Sequence, residues 1–134
     1  AIRALQRGME AYQMVSEGID TFLAFLRGTE QQYHIAEASE QEANDMTQDI
    51  LHSLELQEHN YHEYAKLSKE LKKVRQQRRA AKDTLSETLP ILTWIESNRA
   101  VIRGLEKLLG EVRKAEKRTD NRIYTPRAQQ KGAV

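Results

Sequence analysis

The chain has 134 residues, of which 39% are hydrophobic and 31% charged, so it is polar for a single compact domain. The absence of Cys excludes disulfides, thiolate metal sites and cysteine nucleophiles. The net charge is +1, yet residues 1–65 carry three cations and twelve anions, whereas residues 66–134 carry eighteen cations and eight anions. This asymmetry indicates a charged partner, self-association, or two halves that neutralise each other by packing side by side.

The first predicted helix runs from about Ile2 to Arg27. Its apolar residues recur at steps of three and four, which places them on one helix face: Ile2, Leu5, Met9, Tyr12, Val15, Ile19, Phe22 and Leu26. Gly28 then stands where a left-handed residue ends a helix, and Thr29 with Gln32 forms a capping-box pattern that begins the next. So short a connection predicts that the two helices are antiparallel neighbours.

The second predicted helix is unusually long, from Thr29 to roughly Glu87, because this stretch contains no Pro, Gly or Cys. Its clearest apolar seam has unbroken heptad spacing: Tyr64, Leu67, Leu71, Val74, Arg78, Ala81 and Leu85. Arg78 either packs its stem on the seam with its guanidinium in water, or sets the register of the helices. The first half is less regular, so we expect looser packing around Ile35, Met46, Ile50, Leu54 and Tyr61, with Ala38 and Ala43 between them.

Pro90 is expected to end or kink the long helix, since it lacks an N–H and clashes with the carbonyl four residues earlier. A third helix is predicted from about Pro90 to Arg118, and Ser97-Asn98 is a weak point where it could bend or break. From Thr119 to Val134 the apolar pattern stops, which indicates an extended basic tail.

These elements predict an all-α fold of elongated helical hairpins, a coiled-coil bundle around one long central helix. Residues 1–118 form the helical domain and residues 119–134 the tail. Two layers of helices leave an apolar stripe poorly sealed, which predicts an elongated homo-oligomer.

Two charged runs on the long helix are the candidate binding surfaces. From Thr29 to Ala65 there are nine carboxylates and no Lys or Arg, which predicts an acidic partner-binding face at Glu42, Asp45, Asp49 and Glu55. A long acidic run can mimic a nucleic-acid backbone in the basic groove of a partner, and the alternative is a solvated face. From Lys66 to Lys82 eight cations oppose Glu70 alone. With the tail they predict a basic face for a protein partner or nucleic acid at Lys66, Lys69, Lys72, Lys73, Arg75, Arg79, Lys82, Arg122, Tyr124 and Arg127.

The histidines of the long helix are candidate metal ligands. His52, Glu55, His59 and His62 fall on one predicted helix face, but a closed site needs ligands from a second helix, and a solvated polar face is the simpler interpretation. The sequence contains no Gly-rich phosphate loop, nucleophile elbow or HExxH motif. We therefore expect no metal, no cofactor and no enzymatic activity.

The longest apolar run, Phe22–Leu26, is far shorter than the ~20 residues that span a bilayer. No basic segment precedes an apolar one, as it does in a signal peptide. We expect a cytoplasmic protein without a membrane partner.

The segments that carry a family resemblance lie in the second half of the chain, at Arg75–Asp83, Leu105–Lys114 and Arg122–Arg127. They resemble small uncharacterised helical proteins encoded by bacteriophages of Gram-positive bacteria. The resemblance implies a phage protein acting inside a bacterial cell, where small proteins without enzyme motifs often bind and inhibit a host or defence protein.

We therefore favour a non-enzymatic helical interaction protein that oligomerises and docks on a protein partner through its charged faces. Its concrete form would be an inhibitor of host nucleic-acid or defence machinery, with anti-CRISPR activity as one candidate. The alternative is a nucleic-acid-binding protein that uses the basic end. Against it, few aromatic side chains are available there for base stacking, with Tyr124 alone among the tail cations.

Overall fold

The computed structural model describes residues 15–121, and these residues form three α-helices. Helix α1 spans Val15–Leu56, α2 spans Tyr61–Ser97 and α3 spans Arg99–Asp120. The predicted all-α fold is confirmed, since the described residues contain no strand. Within residues 15–121, every helix is too short or too polar to serve as a membrane span. The start of the predicted first helix, at residues 2–14, and the predicted tail from residue 122 on lie outside the described residues.

Contacts divide the chain into two compact units. One, which we call the hairpin unit, comprises Ala24–Arg99. The other, the terminal unit, comprises the residues up to Leu23 and those from Ala100 onwards. Helix α1 contributes to both units, α2 belongs to the hairpin unit, and α3 belongs to the terminal unit except for Arg99.

Helix α1 runs through Gly28 and Thr29, so the predicted boundary between a first and a second helix is wrong. No described glycine has a positive φ. Thr29 is buried, and its hydroxyl donates a hydrogen bond to the Phe25 carbonyl at 2.8 Å. A threonine can bond the carbonyl one turn back within a helix as well as cap a helix start. The Thr29–Gln32 pattern therefore marks no boundary, and the predicted antiparallel pair is one continuous helix.

The chain breaks instead between Leu56 and Tyr61, so the prediction of a single helix over Thr29–Glu87 is wrong. Asn60 is the N-cap of α2, with φ −80° and ψ 175°, and its Oδ1 accepts a hydrogen bond from the Glu63 N–H at 2.9 Å. Asn is among the best N-cap residues because its side chain satisfies a backbone donor that the helix leaves free.

The short link at residues 57–60 makes α1 and α2 an antiparallel hairpin. Ser39 on α1 accepts a hydrogen bond from Gln77 at 3.3 Å, while Ser53, closer to the link, contacts His59 at 3.0 Å. Positions further from the link on one helix thus meet positions further from it on the other.

Pro90 lies inside α2, which continues to Ser97, so of the predicted end or kink at Pro90 the end is wrong. The helix ends at the predicted weak point. The Asn98 N–H donates to the Ile95 carbonyl at 3.2 Å, and its Nδ2 donates to the Trp94 carbonyl at 2.8 Å. Helix α3 then extends to Asp120, slightly beyond the predicted end at Arg118.

The core of the hairpin unit follows the predicted heptad seam of α2. Ala43, Ile50 and Val74 form a buried cluster, and the partly buried leucines that pack against it are Leu54, Leu67 and Leu71. Further along α2 the buried positions are Ala81, Thr88 and Ile95.

Helix α1 places both small and larger apolar residues where it faces α2. Ala36 and Ala43 are 5% and 0% exposed, whereas Ile35 and Met46 are 69% and 40% exposed. Ile35 and Met46 therefore point away from the seam, whereas Ala43 packs in the buried cluster with Ile50 and Val74.

In the terminal unit, α3 packs with the first residues of α1. Leu23 and Leu109 are buried, and the half-buried apolar residues of α3 recur at helical spacing at Ile102, Leu105 and Val112. The Arg113 guanidinium lies 3.4 Å from the Asp20 carboxylate, with both side chains about half exposed.

Candidate interaction surface

The cations of α2 fall on two sides of the helix. Lys72, Arg75 and Arg79, which we call the basic row, are exposed and spaced by three and four residues. A second set of exposed cations, which we call the far row, lies on another side of α2: Lys66, Lys69 and Lys73. Between residues 15 and 121, no cation from Lys66 to Lys82 lies within 4.0 Å of a carboxylate oxygen. The positive charge of α2 is therefore not neutralised by direct ion pairs.

The basic row lines an open surface groove of about 580 Å³ on α2. Its other lining residues are Ser68, Leu71, Gln76 and Arg78. Leu71 also packs against the core cluster, so the groove has an apolar residue beside four charged ones.

A second groove, of about 490 Å³, lies between α2 and α1 and adjoins the first. It shares Arg75 and Arg78 with the first groove, and α1 contributes Gln41, Asn44, Asp45, Thr47 and Gln48. Arg78 is half-buried, and its Nε donates a hydrogen bond to the Asn44 Oδ1 at 2.8 Å. The guanidinium is thus held by the facing helix, which is the contact that a register-setting role requires.

A third depression, of about 370 Å³, continues the same surface and shares Gln41 and Asn44 with the second. Its remaining lining residues are Tyr33, Glu37, Glu40 and Leu85. Together the three depressions form what we call the groove face of the hairpin unit. This face is basic on α2, carries neutral amides along its middle, and is acidic at Glu37 and Glu40.

Most of the predicted acidic face lies elsewhere on α1. Glu42, Asp45 and Asp49, the acidic row, are exposed. Each follows by one position an α1 residue of the second groove, namely Gln41, Asn44 and Gln48. One residue turns an α-helix by about 100°, so the acidic row lies beside the groove face, with only Asp45 at its edge.

The remaining predicted residues are distributed as follows. Glu55 is exposed and Lys82 half-buried, and neither lines a groove described above. The far row is exposed outside the grooves as well. Arg122, Tyr124 and Arg127 lie outside the described residues.

Two exposed tyrosines in the first turn of α2 were not assigned to a site from the sequence. Tyr61 is 82% exposed and Tyr64 is 40% exposed, and they precede the basic row on the same helix. The Tyr64 ring meets the His59 ring edge-on, with centroids 5.3 Å apart. The signal that could have found these residues is Asn60, because a helix that starts there places both tyrosines at its beginning.

The histidine row is divided by the helix break, since His52 and Glu55 belong to α1, His59 to the link and His62 to α2. His59 is 12% exposed and contacts Ser53 and the Glu63 carboxylate. Residues 15–121 contain no group of three or more His, Asp or Glu side chains arranged to hold a metal ion.

The hairpin unit is acidic as a whole despite its basic row. It holds ten Lys and Arg against thirteen Asp and Glu, a net charge of −3. Packed helix axes lie about 8–10 Å apart, which is comparable to the Debye length of about 8–10 Å near physiological salt. The carboxylates of α1 therefore reduce the long-range positive potential of α2, and the surface is bipolar.

Comparison of the chain with protein-family models, with curated proteins and with solved structures gave no match.

Proposed function

We propose that this chain is a non-enzymatic helical interaction protein that docks on a protein partner through the charged surfaces of its α1–α2 hairpin. The observation that carries the proposal is that opposite charges lie on neighbouring helices without direct pairing. Among the described residues, no cation of residues 66–82 forms an ion pair with a carboxylate of residues 37–55. Both signs of charge remain available to a partner that presents the complementary arrangement.

The charge balance favours a protein over a nucleic acid. Binding to a phosphate backbone gains its free energy mainly from cations that release counterions. The hairpin unit has a net charge of −3, and Glu37 and Glu40 lie on the groove face with the basic row. These carboxylates would repel a phosphate backbone, whereas a protein surface can place cations opposite them.

The finer form of the proposal is inhibition of nucleic-acid or defence machinery inside a bacterial cell. Its support is the resemblance of three segments to phage proteins, together with an exposed carboxylate row that can occupy a basic groove. If the inhibited protein is a nuclease, neutralising the acidic row should abolish its inhibition in a DNA-cleavage assay. Neutralising an equal number of carboxylates on α3 should leave inhibition intact.

The docking proposal is tested by capture with matched baits. Immobilised wild type should retain a protein from a nuclease-treated bacterial lysate. Two variants are compared with wild type. In the basic-row variant the three cations of the basic row are replaced by Glu, and in the far-row variant the three cations of the far row are replaced by Glu. Both change the charge of α2 equally, but only the basic-row variant should lose the protein. Equal loss from both variants would show attraction by net charge alone and would contradict a specific surface.

Nucleic-acid binding is the second candidate, and the exposed Tyr61 and Tyr64 favour it. Aromatic side chains next to a basic row can stack the bases of a single strand. In that case wild type shifts a single-stranded oligonucleotide in a gel, and the logarithm of its affinity falls with the logarithm of salt at about −0.7 per phosphate contacted. A tight shift at physiological salt that only the basic-row variant loses would rank this function first.

A further inference from the structure

We propose that the acidic row of one copy docks on the basic row of α2 in a second copy, so that the chain assembles with itself through two different charged surfaces. The inference deepens the proposed function, since it rests on α2 being a docking surface and names a second copy as its occupant. The acidic row and the basic row each present three charges at steps of three and four residues, so the two can face each other along parallel or antiparallel helices.

The two surfaces also match in their apolar residues. On α1, Ile35 and Leu56 flank the acidic row about 10 Å away on either side along the helix axis. They are 69% and 77% exposed, high values for such residues. On α2, Tyr64 and Leu89 flank the basic segment and are 40% and 50% exposed. Each surface therefore has charge at its centre and apolar residues at both ends.

The two surfaces are similar in length, to within about 6 Å. From Ile35 to Leu56 the α1 surface extends about 32 Å, and from Tyr64 to Leu89 the α2 surface extends about 38 Å, at 1.5 Å per residue. Charges and apolar ends can therefore meet at the same time, and burial of the apolar ends supplies attraction that salt does not screen.

A second copy can occupy the basic row because most of the acidic row faces away from the basic row of its own chain, and only Asp45 lines the second groove beside Arg75. Glu42 and Asp49 each lie about 100° around α1 from the lining residue that precedes them. Each copy thus offers one donor surface and one different acceptor surface. Such a heterologous contact leaves an unoccupied donor surface at one end of the assembly and an unoccupied acceptor surface at the other. The assembly therefore either closes into a ring or continues as a filament.

Sedimentation velocity on the purified chain tests the inference. Wild type at tens of micromolar should sediment above the 15.5 kDa monomer mass and grow with concentration. The basic-row variant should be monomeric, and so should an acidic-row variant with its three carboxylates replaced by Lys. An equimolar mixture of the two should assemble again, because each then carries the surface that complements the other. The far-row variant is the control and should assemble like wild type.

Salt gives a second measurement that needs no variant. The Debye length falls from about 10 Å at 0.1 M to about 3 Å at 1 M salt, so the wild-type assembly should shrink over this range. A monomeric wild type, an assembly unchanged by salt, or a mixture of helical variants that stays monomeric would overturn the inference. No partner is present in these experiments, so failed assembly leaves partner capture standing, and failed capture leaves the assembly standing.

Discussion

His59 lies between two hydrogen-bond acceptors at the link of the hairpin. Its Nδ1 is 2.8 Å from the Glu63 carboxylate, and its Nε2 is 3.0 Å from the Ser53 carbonyl oxygen. A neutral imidazole donates one hydrogen bond and an imidazolium donates two, so this geometry favours the protonated ring. The hydrogen bond with Glu63 raises the pKa of His59 above its usual 6.5, although burial opposes the shift.

This raised pKa predicts a stability that depends on pH. The contribution of protonated His59 is complete below the unfolded pKa of about 6.5 and is lost as the pH rises through the higher folded pKa. Wild type should therefore exceed His59→Gln in unfolding free energy by more at about pH 6 than at about pH 8. Urea unfolding followed by circular dichroism measures both proteins, and the other histidines cancel in the difference. An equal difference at both pH values would contradict the prediction.

Asn60 provides the second prediction at this scale. Its side chain accepts the Glu63 N–H at the start of α2, and Asn60→Ala removes that bond. Loss of an N-cap side chain costs about 1 kcal/mol of unfolding free energy, within a range of roughly 0.5–2 kcal/mol. Asn60→Asp is the control, because Asp caps a helix as well as Asn does. If Asn60→Ala unfolds at the wild-type urea concentration, the Asn60 side chain does not cap α2.

At the scale of the helix, Pro90 should weaken α2. A proline inside a helix removes one backbone hydrogen bond and is about 3 kcal/mol less favourable than Ala. We expect Pro90→Ala to raise the unfolding free energy by about 1–3 kcal/mol, measured by urea denaturation. At the first position of a separate helix, proline costs little. A neutral substitution would therefore favour the helix start that the sequence predicted.

Gly28 gives the corresponding test for α1. A Cβ at this position would meet no atom within 4 Å, and the residue lies in the interior of a helix. Gly28→Ala should raise the unfolding free energy by about 0.5–1 kcal/mol. If Gly28 instead ended a helix in the left-handed backbone conformation, the same change would destabilise the protein. The sign of the effect therefore distinguishes a continuous α1 from two helices.

The seam of α2 could be predicted from the sequence, whereas the helix ends could not. Leu67, Leu71 and Val74 recur at heptad spacing, and burial of apolar side chains follows that spacing wherever the helix begins. Gly28 and Pro90 express backbone preferences of about 1 and 3 kcal/mol, which packing along a long helix overrides. The break at Asn60 lies in a polar segment without Gly or Pro, so only its capping capacity marks it.

The candidate site was predictable to the same extent. Each charged row could be predicted from the spacing of its residues along its own helix. The amides Gln41, Asn44 and Gln48 lie beside Arg75 and Arg78 because the chain reverses at residues 57–60. In a single helix continuing through Tyr61, the residues of α1 and the basic row would follow one another along the same axis and could not face each other. The groove between them was therefore not visible in the sequence.

For the molecule as a whole, the fold converts a separation of charge along the chain into a separation between neighbouring helices. Attraction between α1 and α2 should stabilise the hairpin in dilute salt. We expect the unfolding free energy, measured at low protein concentration, to fall by on the order of 1 kcal/mol as NaCl rises to about 0.5 M. The basic-row variant places carboxylates on both helices and should instead gain stability with salt. If salt affects both proteins alike, direct attraction between the helices is not the cause.

The buried alanines of α1 and α2 have a consequence for how this protein can vary. Ala36, Ala43 and Ala81 are at most 6% exposed, and every substitution at these positions except Gly adds atoms to a buried site. Added volume in a packed interior typically costs about 1–3 kcal/mol. The charged rows face water and carry no such constraint. Substitutions can therefore change the charge of the outer surfaces while the buried positions beneath them stay the same.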